Sequence, residues 1–346
     1  MKKFSTQLEI FCGTGGVGKS TLAAAKGLAL ASQNKKTLLI TIDPAKRLRE
    51  ILGLKIREGG QVKTLDLSEF EIHTTGQLDV LLMHPNATLK RMAPTEADNR
   101  LLKILTKPHG GTNEIMAVLE LNYHLKQNDY DVIVLDTAPG KHFIDFLESS
   151  NKIKTFFDQS FVDVFMSIEK KLKGQKDIQT GWNIFTNIIG QGIKKFLDAF
   201  AQMTGTYFID EFVTAINVLY RNKETFLEAL ELQENLKKEN NCRWYLVACA
   251  EQDKIKETLE LEKSAKNFLH HNNILILNKC LKFHLESWLP EDENLLQIKQ
   301  GIIEKEEALR VMAGDQFAQI IEFPQTLEDS IRKQVLVLMQ HWNEQK

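Results

Sequence analysis

The sequence predicts an α/β protein: a mostly parallel, doubly wound sheet with an α-helical insertion subdomain. Three observations support this. Short apolar runs alternate with amphipathic helical stretches, as in a sheet joined by helical crossovers. The first of those runs ends on a glycine loop that opens a helix, and two later ones end on an acid. From Asn151 to about Asn235 no strand-like run appears at all. The expected division is an α/β domain, the one carrying the glycine loop, from residues 1–150 and 240–346, with a helical insertion at 151–239.

The glycine loop is the stretch that organises the rest. Gly13-Thr14-Gly15-Gly16-Val17-Gly18-Lys19-Ser20-Thr21 fits the pattern G-x-x-x-x-G-K-[ST]. The apolar run Leu8 to Cys12 precedes it and an alanine-rich helical run, Leu22 to Ser32, follows. Glycines let backbone N–H groups turn inward around phosphate oxygens, because no Cβ blocks the approach. A helix starting near Lys19 aims its positive end at the same anion. Lys19 is placed to reach β- and γ-phosphates, and the Ser20 hydroxyl to take one Mg²⁺ position. The motif predicts binding of a nucleoside triphosphate.

Composition bounds the alternatives. The chain has 346 residues, 43% hydrophobic and 26% charged, as in ordinary globular proteins. Its net charge of −2 gives no general affinity for nucleic acid or acidic membranes. No apolar run approaches a membrane span, so no integral membrane segment is expected. Met1 to Ser5 lead straight into the first strand, leaving no room for a signal peptide, and a cytoplasmic location is the expectation. The four cysteines, Cys12, Cys242, Cys249 and Cys280, are scattered without a C-x-x-C. Three of them end apolar runs and read as buried thiols.

A second buried strand, Lys36 to Ile42, ends on Asp43-Pro44. Ligands of parallel sheets bind at the carboxyl ends of strands, which puts Asp43 beside the loop. There it is placed to orient water or to hold a magnesium-bound water; standing alone it would read as a helix N-cap. Pro44 biases the aspartate away from helical geometry. Gly53 to Gln77 reads as a sheet edge or connection, with short pieces at Val62–Leu65 and Phe70–Ile72. Leu81 to Leu105 shows helical periodicity interrupted at Pro85 and Pro94, and Ile115 to Lys126 reads as an amphipathic helix.

Asp131 to Asp136 is the clearest buried strand, ending on an acid that suits the Mg²⁺ shell. Pro139-Gly140 after it permits a turn responsive to a γ-phosphate. His142 reads equally as a phosphate sensor and as the start of the next helix. Within the insertion lie ten of the 19 phenylalanines, in stripes such as Phe157, Phe161 and Phe165. Those stripes are either the insertion's own core or the lining of an apolar groove for a protein client. Strands return at Trp244–Cys249 and Ile274–Leu277, with a charged helix, Lys254 to His270, between them. Asn278, after the second of these, reads either as a turn residue or as an amide offered to a purine edge. A last strand, Ala318–Phe323, precedes a closing helix, Thr326–Trp342, with Leu327, Ile331, Val335 and Leu338 or Met339 on one face.

The loop Gly13 to Thr21, the strand end Thr41-Ile42-Asp43-Pro44-Ala45 and Asp136-Thr137-Ala138-Pro139 together resemble the arsenite-transport ATPase and tail-anchored-protein targeting ATPase family, deviant phosphate-loop NTPases of the signature-lysine class. Gly111 to Glu114, Glu251, Glu257-Thr258 and Asn278-Lys279 look like further marks of it. The resemblance implies an ATP/ADP- and Mg²⁺-dependent ATPase, acting as a dimer whose helical domains open and close. It implies that Asp43 orients the attacking water, that Asp136 is the second-switch acid and that Asn278 contacts adenine. Pro324 would lie on the purine face, in the loop after the last strand.

Two departures stand out. The family usually has a lysine where this chain has Thr14, and that lysine steadies charge on the partner's nucleotide. Slow turnover, another cation such as Lys46 or Arg47, or a heterodimer with a lysine-bearing paralogous subunit would follow. There is also no cysteine pair to share a zinc and no cysteine cluster for a metalloid. The readings are therefore a client-handling ATPase, a nucleotide-gated scaffold with negligible hydrolysis, or a small-molecule phosphotransferase. The phenylalanine-rich insertion counts against the last. Leu281 holds the place of the acid in the N-K-x-D guanine pattern, so ATP is expected over GTP.

Overall fold

The computed structural model describes residues 5–42, 47–54, 59–92, 112–137, 140, 224, 228, 242–267, 269 and 273–345. Asp43, Pro44, Lys46, Pro139, His142 and the insertion's phenylalanines therefore lie outside the described residues.

Eight strands form one sheet: β1 Gln7–Gly13, β2 Lys36–Thr41, β3 Val62–Thr64, β4 Gln77–Leu82, β5 Val132–Asp136, β6 Cys242–Cys249, β7 Ile274–Cys280 and β8 Gln319–Pro324. Their spatial order is β3-β4-β2-β5-β1-β6-β7-β8. Every pairing is parallel except that of the short edge strand β3 with β4. The helices are α1 Lys19–Ser32, α2 Arg47–Ile51, α3 Pro85–Met92, α4 Thr112–Gln127, α5 Gln252–Ala265, α6 Lys282–Leu285, α7 Glu293–Ala313 and α8 Ile331–Glu344.

β1 sits in the middle because Leu8, Ile10, Phe11 and Cys12 are apolar on both faces, as a strand covered on both sides requires. Its even-numbered side chains pack with α4, α5 and α7; Phe11 packs with α1 and α8 on the other face. This is the doubly wound arrangement the sequence predicts.

Four local expectations are corrected. The segment read as helical from Leu81 begins instead inside β4, a buried parallel strand beside β2. Asp79 hid it by breaking the apolar run; that carboxylate is buried and accepts from Tyr130 Oη at 2.8 Å and Thr64 Oγ1 at 2.7 Å. Phe70 closes a 3₁₀ turn, Leu67–Phe70, rather than a strand piece. The helix after β6 ends at Ala265, short of His270. The closing helix starts at Ile331, because Ser330 caps it by accepting from the Lys333 N–H, so Leu327 stays exposed. Its buried face is Val335, Leu338, Met339 and Trp342.

Candidate nucleotide-binding site

The parallel strands bring their carboxyl ends to one edge of the sheet, and the glycine loop leaves β1 at its centre. Two glycines there are dictated by close approach. A Cβ on Gly13, at φ +149°, would lie 2.4 Å from the Val247 carbonyl oxygen. One on Gly18, at φ +94°, would lie 2.4 Å from Asn278 Nδ2. Gly18 is the N-cap of α1 and offers no side-chain oxygen to the helix, and the first turn of α1 carries no acid. The positive end of the helix is thus left to whatever enters the loop.

The loop is held by its carbonyls. Gly140 N–H donates to Gly13 O at 3.1 Å and Lys19 Nζ to Thr14 O at 2.8 Å. Lys279 Nζ donates to Gly16 O at 3.3 Å and Asn278 Nδ2 to Val17 O at 2.9 Å. Leu22 N–H takes Gly18 O as the first helical bond. Donors from α1, from β7 and from the segment after β5 therefore fasten the outer rim. Among the described residues, the N–H groups of Gly16, Val17 and Gly18 donate to no partner. An arc of N–H groups next to a buried ammonium is an anion site. Lys19 is 8% exposed, close enough to the loop to exchange a carbonyl for a phosphate.

Asp136 is buried at the end of β5, between β1 and β2, where its backbone pairs with Phe11 and Thr41. Thr41 Oγ1 donates to its Oδ2 at 3.0 Å. Thr137 donates both N–H and Oγ1 to Phe11 O, at 3.1 and 2.8 Å, so the segment after β5 leans on the strand that feeds the loop. Ser20 and Thr21 stand in the first turn of α1, half-buried. Thr14 is buried, and its Oγ1 has no hydrogen-bond partner among the described residues.

Asn278 lies inside β7, paired with Cys249, which rules out the turn reading. Pro324 is the last residue of β8, paired with Cys280, rather than a residue of the following loop. All four cysteines are buried. Burial pushes the thiols of Cys249 up to about 11 and of Cys280 up to about 12, and Cys12 higher still, so these three are not thiolates near neutrality. Among the described residues no group of three His, Cys, Asp or Glu side chains is placed to hold a metal. No described helix is long and apolar enough to cross a membrane.

The structure thus brings together Gly13 to Thr21, Asp136 and Asn278 at one edge, with Pro324 on the neighbouring strand. Three contributors had no assigned role in the sequence reading: Thr41, Thr137 and Lys279. Thr41 was visible as the residue two before Asp43, and Lys279 as the partner of Asn278, but only strand register shows what they touch.

A family model described as anion-transporting ATPase matches residues 6–306. Over 223 residues, 29% are identical to a protein of Malassezia globosa named ATPase GET3, covering 63% of this chain and 61% of that one. A Paramecium tetraurelia protein named ATPase ASNA1 homolog 2 is 36% identical over 143 residues, 40% of this chain and 42% of its own. An Aspergillus terreus protein named ATPase get3 is 34% identical over 140 residues, 39% and 41% of the two chains. The chain thus matches from about two fifths to three fifths of the length of these curated relatives.

Proposed function

The chain belongs to the anion-transporting ATPase family, and from that premise we propose that it is a Mg²⁺-dependent, ATP-binding and hydrolysing dimeric switch. Its nucleotide state would drive rearrangement of the helical subdomain at 151–239, which handles an apolar protein client. The observation that carries the reading is the loop itself, with its carbonyls gripped by Lys19, Asn278 and Lys279, the Gly16, Val17 and Gly18 N–H groups without a partner among the described residues, and Lys19 buried beside them.

In this reading Lys19 binds the β- and γ-phosphates, and Asn278 and Pro324 meet the adenine. Asp43 orients the attacking water, and Pro44, Pro139 and His142 belong to the two switch segments. The Ser20 hydroxyl and the Asp43 and Asp136 carboxylates would supply oxygen donors only, the chemistry that suits Mg²⁺. The ion would neutralise phosphate charge there. Thr41 orients the Asp136 carboxylate.

ATP turnover of the purified chain, with its mass in solution measured in ADP and in a non-hydrolysable ATP analogue, tests the proposal. Steady turnover by a nucleotide-dependent dimer supports it; a monomer in every state refutes the dimeric switch. Asp43→Asn should bind ATP and fail to hydrolyse it, and unchanged turnover would remove that residue's assigned role.

Thr14 favours a second reading. A buried, neutral hydroxyl stands where the resembling family carries a lysine, and it supplies no positive charge. The chain would then turn ATP over slowly, or serve as a nucleotide-gated scaffold that hydrolyses only with a lysine-bearing paralogous subunit. Mixing it with such a subunit separates the two, because only the second reading expects turnover to rise.

A further inference from the structure

Asn278 and Lys279 are neighbours on a strand, where successive side chains ordinarily point to opposite faces. Both nevertheless reach the phosphate loop, at Val17 O and Gly16 O. The backbone explains how. β7 pairs with β8 at Leu277↔Glu322 and next at Cys280↔Pro324, so β7 carries one extra residue there. Such a bulge re-aims side chains. Lys279 has φ +62°, a left-handed conformation costly for a residue with a Cβ. Strain held at a strand end needs a compensating contact, and the bond from its ammonium to Gly16 O is that contact.

The two carbonyls so gripped are consecutive. In a planar trans peptide the C=O and the following N–H point in opposite directions. Gripping Gly16 O from β7 therefore turns the Val17 N–H away from β7, and gripping Val17 O turns the Gly18 N–H the same way. Both are among the loop N–H groups that no described residue takes.

We infer that Asn278 and Lys279 are positioning residues, a clamp that pre-orients two peptide planes of the loop to receive phosphate oxygens. They act on the polyphosphate through the loop, in addition to any contact of Asn278 with a base. The inference rests on the nucleotide-binding reading above and deepens it by naming what sets the loop's affinity for phosphate.

Calorimetric titration with Mg·ATP and with Mg·tripolyphosphate, which has no base, tests it. Lys279→Met and Asn278→Ala should each weaken tripolyphosphate binding about three- to tenfold, the scale of one charged or buried hydrogen bond. Lys279→Met should weaken ATP by the same factor, and Lys279→Arg should restore both. Without nucleotide, the Val17 and Gly18 amide resonances should shift in Lys279→Met. Lys279→Gly separates the clamp from a merely structural role: glycine suits φ +62°, so it should melt at or above the wild-type temperature while binding phosphate more weakly. Unchanged tripolyphosphate affinity in Lys279→Met and Asn278→Ala, or unmoved loop amides, overturns the clamp even if ATP binding falls. A wild-type chain that binds neither ligand overturns the nucleotide reading itself, and the clamp with it.

Discussion

Two polar clusters are buried against this sheet, and they are finished in opposite ways. Between α3 and α4, the Glu120 carboxylate is fully enclosed and saturated by its neighbours. Thr88 Oγ1 and Arg91 Nη2 donate to one oxygen, the latter at 2.6 Å, and His124 Nε2 lies 3.0 Å from the other. Arg91 also donates to Gly60 O at 2.8 Å, tying the cluster to the segment before β3. At the loop, by contrast, most of the carbonyls accept hydrogen bonds while the Gly16, Val17 and Gly18 N–H groups donate to no partner among the described residues. The first arrangement holds the fold, since both oxygens of its carboxylate are matched by protein donors. The second offers donors that an anion could take. Burial of polar groups alone does not mark a site; the direction of the unspent groups does.

If that contrast is right, changes at the two clusters separate binding from stability. Lys19→Ala has the largest expected effect: ATP binding lost in a titration, with the melting temperature moved less than by a change at Glu120, since the bond to Thr14 O joins two residues of the loop itself. Glu120→Ala should do the reverse. It leaves Arg91 without its carboxylate and should cost about 3 kcal/mol of unfolding free energy in a denaturant titration, with ATP affinity retained. A Glu120 variant that folds normally but no longer binds ATP would break the comparison. Thr41→Val should be milder, costing about 1 kcal/mol and raising the Mg²⁺ concentration needed for half-maximal turnover, since Asp136 loses the hydroxyl that orients it.

The smallest effect is in pH. Burial raises the Glu120 carboxyl, but hydrogen bonds from His124, Arg91 and Thr88 outweigh it and hold it below its ordinary value of 4.5. A depressed folded value means stability present above 4.5 and lost as pH falls through the folded value. Glu9 on β1 is as deeply buried but runs the other way. Burial raises it, and Lys26 at 3.5 Å and Arg243 at 4.0 Å only partly offset that. Its contribution is present below 4.5 and is lost as pH rises through its folded value. Melting curves across the acid range should therefore lose their low-pH drop in Glu120→Gln and keep it in Glu9→Gln. The same drop in both would show that the donors around Glu120 do not set its titration.

Much of the site was legible because it is local in sequence. Gly13 to Thr21 needs only nine consecutive residues, and a strand before and a helix after, to be read as an anion loop. Asp136 announced itself by ending four apolar residues. β4 did not, because Asp79 is a buried acid that breaks the apolar run and is matched by Gln77 beside it and by Thr64 and Tyr130 farther off in the chain. Leu327 and Ile331 matched a helical period yet stayed exposed, since periodicity gives a face and not what covers it.

The sequence by itself determined the fold class, the phosphate loop and the family, since each rests on short-range pattern or on identity of residues in order. Tertiary structure decided the rest. Asn278 is a strand residue gripping Val17 O, Lys279 is its fellow across a bulge, and Thr41 is the hydroxyl on Asp136. All three roles follow from register between strands, and register arises from packing both faces of the sheet at once. No single stretch of sequence carries that information, because each contact joins residues about 95 to 263 positions apart.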